Sequence, residues 1–262
     1  MAWRVFYTAK FQQMADFLDQ LGSILFLDIE TASVTEKFED LPERLQDEWL
    51  RKEKLIQSDK KDLEPGSLYF EKAGIHAEFG QVVCVGVGYF QWKKKEKKII
   101  YRSKVFAHEE ERELLLEFSA LLSKKKWNLC AHNGKEFDFP YLCRRMLVQG
   151  ISLPEPLQIS GKKPWEIRHL DTLELWKFGD YKHYTRLELL ASVFGIPSSK
   201  DDLDGSQVNT TFHLEKDIEK IKKYCLRDVE VTARVYLAMN PQLDELEIEV
   251  ATREDSRKDP KD

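Results

Sequence analysis

Cysteine is scarce in this 262-residue chain: Cys84, Cys130, Cys143 and Cys225 lie among apolar neighbours with no paired spacing. That pattern excludes a disulfide scaffold and a short-spaced zinc site, and predicts reduced thiols in the core of a cytoplasmic protein. No apolar run approaches the roughly 20 residues of a membrane span. The amino terminus lacks the charged, apolar and small-residue blocks of a signal peptide, so the chain reads as soluble and intracellular. Repeats and low-complexity blocks are missing as well. So is a surplus of one charge: 41 Lys and Arg against 46 Asp and Glu leave a net charge of -5. No global field would draw in a polyanion, so a nucleic-acid partner would need local basic patches. Lys93-Lys94-Lys95, Lys97-Lys98, Lys124-Lys125-Lys126 and Lys162-Lys163 are such runs, and each also reads as a solvated turn or helix end.

With 42% hydrophobic residues the chain can bury a large core, and its length suits one globular domain with insertions or a small appendage. The stretch that organises it is Ile24-Leu25-Phe26-Leu27-Asp28-Ile29-Glu30-Thr31. A run this short and apolar after Gly22-Ser23 predicts a strand buried on both faces in mid-sheet, ending in two carboxylates. Alternation along a strand puts Asp28 and Glu30 on one side, about 6 to 7 Å apart at their bases. Two anions so placed repel by roughly 2 to 3 kcal/mol at an effective dielectric near 20. A hard divalent cation would remove that cost; a strand ending at a polar turn is the other reading.

The remaining elements follow from periodicity and breakers. Residues 1–22 read as an N-terminal extension, with a helix over Phe11 to Leu21. Leu41 to Ile56 forms an inserted helix and Leu68 to His76 a shorter one, within an insertion at about 36–76. Gln81 to Phe90 and Lys98 to Phe106 make a hairpin, in which Gly86 and Gly88 serve close packing or a bulge rather than a phosphate loop. A helix over His108 to Leu122 carries acids in its first turn, where the macrodipole favours them. Trp127 to Ala131 is a strand, and Asp138 to Gln149 a helix with Asp138 as its N-cap and Gly150 as its stop. A strand near Ile167 to Leu170, a helix to Trp176, another over Thr185 to Phe194 and a long one over Asp217 to Met239 complete the domain at about residue 240. Residues 241–262 read as a charged tail. The order predicts an α/β fold: a mixed central β-sheet flanked by α-helices.

The long helix carries an anomaly. Its apolar stripe runs Ile218, Ile221, Cys225, Thr232 and Val235, and Asp228 completes the series. A carboxylate on a buried face needs pairing, hydrogen bonds or a metal; an Asp at the stripe's edge is the alternative. Tyr224 lies one turn earlier on the same face. Asn133 and Asp138, between a strand and a helix, fall at the carboxyl edge of the sheet, where open α/β sheets hold ligands.

Asp28-Ile29-Glu30-Thr31, then Asn133 with Phe137-Asp138, then Tyr224-Cys225-Leu226-Arg227-Asp228 resemble, in order, the three motifs of the DEDD (DnaQ-like) 3'-5' exonucleases. The Tyr places the chain with the DEDDy subgroup, and it is similar to stand-alone proteins akin to the proofreading domain of family B DNA polymerases. The resemblance implies a ribonuclease H-like exonuclease domain over about residues 23–240 and two-metal phosphodiester hydrolysis with Mg²⁺ or Mn²⁺. It implies Asp28, Glu30 and Asp228 around the metal that binds the attacking water, and Asp28 with Asp138 around the second. It further implies Tyr224 as the residue that orients the water, and Thr31, Asn133 and Phe137 as contacts to the terminal nucleotide, with Phe137 and Tyr224 as stacking walls. The expected partner is a single-stranded nucleic acid end, DNA before RNA, with a replication or repair protein as a further one. Two other readings remain: an exoribonuclease of short RNA, and an inactive nuclease-like scaffold. The histidines His132, His169 and His183 read as hydrogen-bonded turn residues, and Lys135, Arg144 and Arg145 as either phosphate contacts or solvated positions.

Overall fold

A computed structural model describes residues 17–56, 64–96, 98–180, 182, 184–197, 203–240 and 247–251. Its centre is strand β1, Ile24–Ser33, buried along nearly its whole length. β2 (Gly80–Lys93) runs antiparallel to β1, and β3 (Lys98–Phe106) runs antiparallel to β2. On the other side β4 (Asn128–Ala131) and β5 (Leu170–Asp171) run parallel to β1. With β6 (Glu247–Ala251) parallel to β3, the sheet order is β5-β4-β1-β2-β3-β6. Only β2 opposes the rest, which agrees with the ribonuclease H-like architecture.

Period-two alternation along β1 sorts its side chains onto two different cores. Leu25, Leu27 and Ile29 pack with helices α2 (Glu111–Leu122) and α3 (Asp138–Val148). Ile24 and Phe26 face the opposite way, onto Val229, Ala233 and Leu237 of the 21-residue helix α6 (Ile218–Ala238). Asp28 and Glu30 continue the second series, so they are aimed at the helix that carries Asp228. Between these lie α4 (Thr172–Lys177) and α5 (Leu187–Val193); α1 (Glu43–Ile56) belongs to the segment after β1. There Trp49 is fully buried between Tyr69 and Phe79, with ring centroids at 5.3 and 5.1 Å, and the buried Glu53 accepts the N–H groups of Gly66 and Leu68, each at 2.8 Å.

Several expectations change. Asp138 is the first residue of α3 rather than its cap: Phe137 holds the N-cap position and makes no capping bond. The carboxylate pair does not end β1, because the ladder with β2 continues to Ser33. A strand, β6, stands within the expected tail, since Glu247–Ala251 pairs along β3; the rest of that tail lies outside the described residues. Residues 17–21 are helical, and the remainder of the helix expected from Phe11 also lies outside them, as does His183.

Candidate active site

β4 pairs with β1 only over Ile24 to Phe26. Past that point β1 keeps its β2 partner but loses its parallel neighbour, and the Ile29 N–H is taken instead by Asp138 Oδ1 at 3.2 Å. A carboxylate thus replaces the missing strand, which brings Asp138 from the opposite face to the edge where Asp28 and Glu30 stand. Opposite these two on β2 are Gly86 and Cys84, and the register shifts between Glu30 and Thr31. Such an irregularity re-aims side chains where it falls.

Helix α6 closes the other side, and it can do so because Gly86 has no side chain. A Cβ there would meet Cys225 Sγ at 2.8 Å and Val229 Cγ2 at 2.9 Å. In its place the Gly86 N–H donates to Cys225 Sγ (3.1 Å), and the thiol donates to the Asp28 carbonyl (3.4 Å). Among the described residues, Asp28, Glu30 and Cys225 offer ligand atoms that all lie within 4.8 Å of one another. Asp228, half-buried one turn further along α6, accepts a hydrogen bond from the Tyr224 hydroxyl.

The electrostatics record the crowding. Burial holds the Asp28 carboxyl well above the usual carboxylate range, and the charges of Asp138 and Asp228 push it further. Glu30 is raised the same way, by burial and then by Asp28. Burial lifts Asp138 to about 7 against the pull of the Ile29 N–H, and lifts Asp228 to about 6 against the Tyr224 hydroxyl. The Tyr224 phenol is itself raised, first by burial and then by Asp228, Glu30 and Asp28. Asp138, Asp228 and Tyr224 thus act on or respond to the Asp28–Glu30 pair from two other segments, although Asp138 and Asp228 lie outside the group of ligand atoms that all fall within 4.8 Å of one another.

The other expected residues are placed as follows. Asn133 has the left-handed φ of 64°, and its N–H is held by Asp171 Oδ1 at 2.9 Å. The Thr31 hydroxyl donates to Tyr141, whose own hydroxyl donates to the Gly74 carbonyl at 2.7 Å. Phe137 packs on Tyr141 with centroids 5.4 Å apart. Lys135 is ion-paired to Glu174 beside this turn. Arg145 points away from the site, buried in a two-bond pair with Glu111 at 2.6 and 2.9 Å, while Arg144 is exposed. His132 donates from Nε2 to the Thr185 carbonyl (2.8 Å), and its Nδ1 meets the Thr172 hydroxyl (2.9 Å). His169 accepts the Leu129 N–H and donates to the Pro156 carbonyl. Both rings are fully committed.

Sequence reasoning missed Asp171, whose carboxylate accepts from the N–H groups of Asn133, Lys135, Leu173 and Glu174 and so shapes the turn that carries Asn133. The only local signal was an Asp before a helical run. It also missed Tyr184, 65% exposed next to the carbonyl that His132 anchors, with the charges of Asp138 and Asp171 acting on its hydroxyl. Glu188 and Asp204 likewise act on Asp228.

With this geometry in view, a family model described as "Predicted 3'-5' exonuclease related to the exonuclease domain of PolB" matches residues 75–257. The match contains Asp138, Tyr224 and Asp228 and begins after Asp28 and Glu30. A DNA polymerase of Pyrococcus glycovorans is 26% identical over 156 residues, which cover 52% of this chain and 19% of that protein. This chain thus spans about a fifth of the length of that relative. Among solved structures, the family B DNA polymerase of the hyperthermophilic archaeon Pyrobaculum calidifontis aligns over 84% of this chain and 24% of its own, at 18% identity and a TM-score of 0.49.

Proposed function

The chain belongs to the family of predicted 3'-5' exonucleases related to the exonuclease domain of PolB, and from that premise we propose a divalent-metal-dependent 3'-5' exonuclease that acts on the end of a single nucleic-acid strand, DNA in preference to RNA. The observation that carries this reading is the convergence of Asp138 and Asp228 on the Asp28–Glu30 pair: burial raises all four carboxyls, and the charges of Asp138 and Asp228 raise Asp28 further. A purely structural site gains nothing from four acids that destabilise one another's ionised forms.

The donor set fits hard cations: the Asp28 and Glu30 carboxylates of β1 stand together, the thiol beside them is engaged in hydrogen bonds, and Asp138 and Asp228 bring further carboxylates to the same edge from α3 and α6. In this reading Asp28, Glu30 and Asp228 hold one Mg²⁺ or Mn²⁺, and Asp28 and Asp138 hold a second. Ions bound there would lower the pKa of a water and offset charge on the leaving oxygen. The chain's own residues do the positioning. Tyr224, kept protonated by its raised pKa, gives its one O–H to Asp228, which leaves the phenol oxygen to accept from a water and so orient it rather than take its proton. Asn133, held by Asp171, together with Thr31 and Phe137, contacts the terminal nucleotide.

Incubation of end-labelled DNA and RNA single strands with Mg²⁺ or Mn²⁺ tests the reading. Mononucleotides released from the 3' end of DNA support it. Release from short RNA alone identifies an exoribonuclease, and no release from either identifies a scaffold.

A further inference from the structure

Two lysine runs that lie some 35 residues apart in the sequence meet at the opposite end of the parallel strands. A cavity of about 300 Å³ opens at the amino ends of β4 and β5, lined by Lys126, Lys162 and Arg168 together with Trp127, Glu155 and Glu166. The lining alone has three cations and two carboxylates; Lys124, Lys125 and Lys163 extend it in sequence, and all six cations are exposed. Beside it Trp165 is 78% exposed, with Lys163 Nζ 5.2 Å from its ring centroid. Lys125 Nζ lies 4.6 Å from the Trp127 ring and donates to the Gly22 carbonyl at 2.6 Å, which fixes that side of the patch against the start of β1.

In a chain with a net charge of -5, such a concentration of cations beside an open indole is local by construction. Cations that track a phosphate backbone and an aromatic that stacks on any base are the two components of sequence-tolerant single-strand binding. Asn128 pairs with Ile24 and Asp28 stands four residues further along β1, so the patch lies roughly 13 to 20 Å from the carboxylates along the strand direction. A strand whose 3' end occupied the carboxylates would reach it within a few nucleotides. We infer that this basic face, centred on Lys126, Lys162, Arg168 and Trp165, is a second nucleic-acid contact that holds the body of the strand while its 3' end is at the carboxylate site. The identity of the polyanion rests on the exonuclease reading; the patch itself does not.

The test compares a fluorescein-labelled 20-nucleotide DNA strand with a trinucleotide. Anisotropy titrations in EDTA measure binding of the long strand without turnover, and trinucleotide hydrolysis in Mg²⁺ reports the catalytic edge. Lys126→Gln/Lys162→Gln should weaken binding of the 20-mer about tenfold and make its dependence on log salt shallower by about 1.4, two contacts at about 0.7 each for a single strand. Trp165→Ala should weaken it about 5- to 150-fold, the range of one stacked base. Trinucleotide kcat/KM should stay at the wild-type value in all of them. Wild-type affinity and salt slope in the variants overturn the inference, as does a parallel loss on the trinucleotide. If wild type hydrolyses DNA but the variants bind normally, the patch fails and the exonuclease reading stands. If wild type hydrolyses nothing and the variants still lose the 20-mer, the reverse holds.

Discussion

Asp138 does two things at once: it completes the hydrogen bonding of β1 through the Ile29 N–H, and it adds a charge to a crowded edge. Burial lifts its pKa to about 7, well above the usual carboxylate range, so the metal-free fold favours the protonated acid. For a raised carboxylate, the stability it contributes is complete below about pH 4 and is lost as pH rises through about 7; for Asp228 the loss finishes near 6. Asp138→Asn should therefore stabilise the metal-free protein at pH 8, by at least about 3 °C in Tm, with the gain vanishing toward pH 4. Unfolding in EDTA over that range checks it, and a difference from wild type that is independent of pH would contradict the assignment. Tyr224→Phe keeps the ring and removes one hydrogen-bond donor, so kcat should fall about tenfold, the equivalent of one ordinary hydrogen bond. An unchanged rate would remove Tyr224 from the placement of water.

At the scale of elements, the site depends on how closely α6 lies on β2. Gly86→Ala introduces contacts of 2.8 and 2.9 Å to Cys225 and Val229, and backbone at 3.2 Å prevents simple relief. We expect a loss of about 1–3 kcal/mol of stability from overpacking. A fall in kcat of about tenfold or more should accompany it, because Asp228 moves with the helix. Urea unfolding and steady-state kinetics measure both, and a destabilised protein with wild-type kcat would show that helix position is not what places Asp228. The elements that matter most here were legible in the sequence. β1 and α6 are long, strongly patterned segments, and the α6 stripe put Asp228 on the face where it stands, half-buried and bonded to Tyr224. Asp171 and Glu111 were not legible. Each reads locally as a helix-start acid, yet Asp171 organises the Asn133 turn and Glu111 buries its carboxylate against Arg145, Gln149 and the Val82 N–H. Side-chain partners this far apart in the chain leave no periodic trace. The Asp138 cap failed for a related reason, since the backbone that claims its carboxylate belongs to a strand 109 residues away.

For the molecule as a whole, the Glu111–Arg145 pair ties α2 to α3 behind the sheet, and Arg145 also donates to the Ala77 carbonyl at 2.9 Å. Arg145→Ala leaves a buried carboxylate unpaired and should cost about 3–5 kcal/mol, read as a shift in the urea midpoint. A near-neutral effect would show that water reaches Glu111. No helix among the described residues is long and apolar enough to cross a membrane. The central claim is that carboxylates from β1, α3 and α6 act together on one pair of ions. Its most direct test is the rate of mononucleotide release from a 3'-labelled single strand in Mg²⁺ or Mn²⁺, wild type against Asp228→Ala, with circular dichroism to verify folding. The Asp228→Ala protein should fold and be slowed by about 10³-fold or more, a barrier increase of roughly 4 kcal/mol. A folded Asp228→Ala protein that digests the strand at the wild-type rate would contradict it.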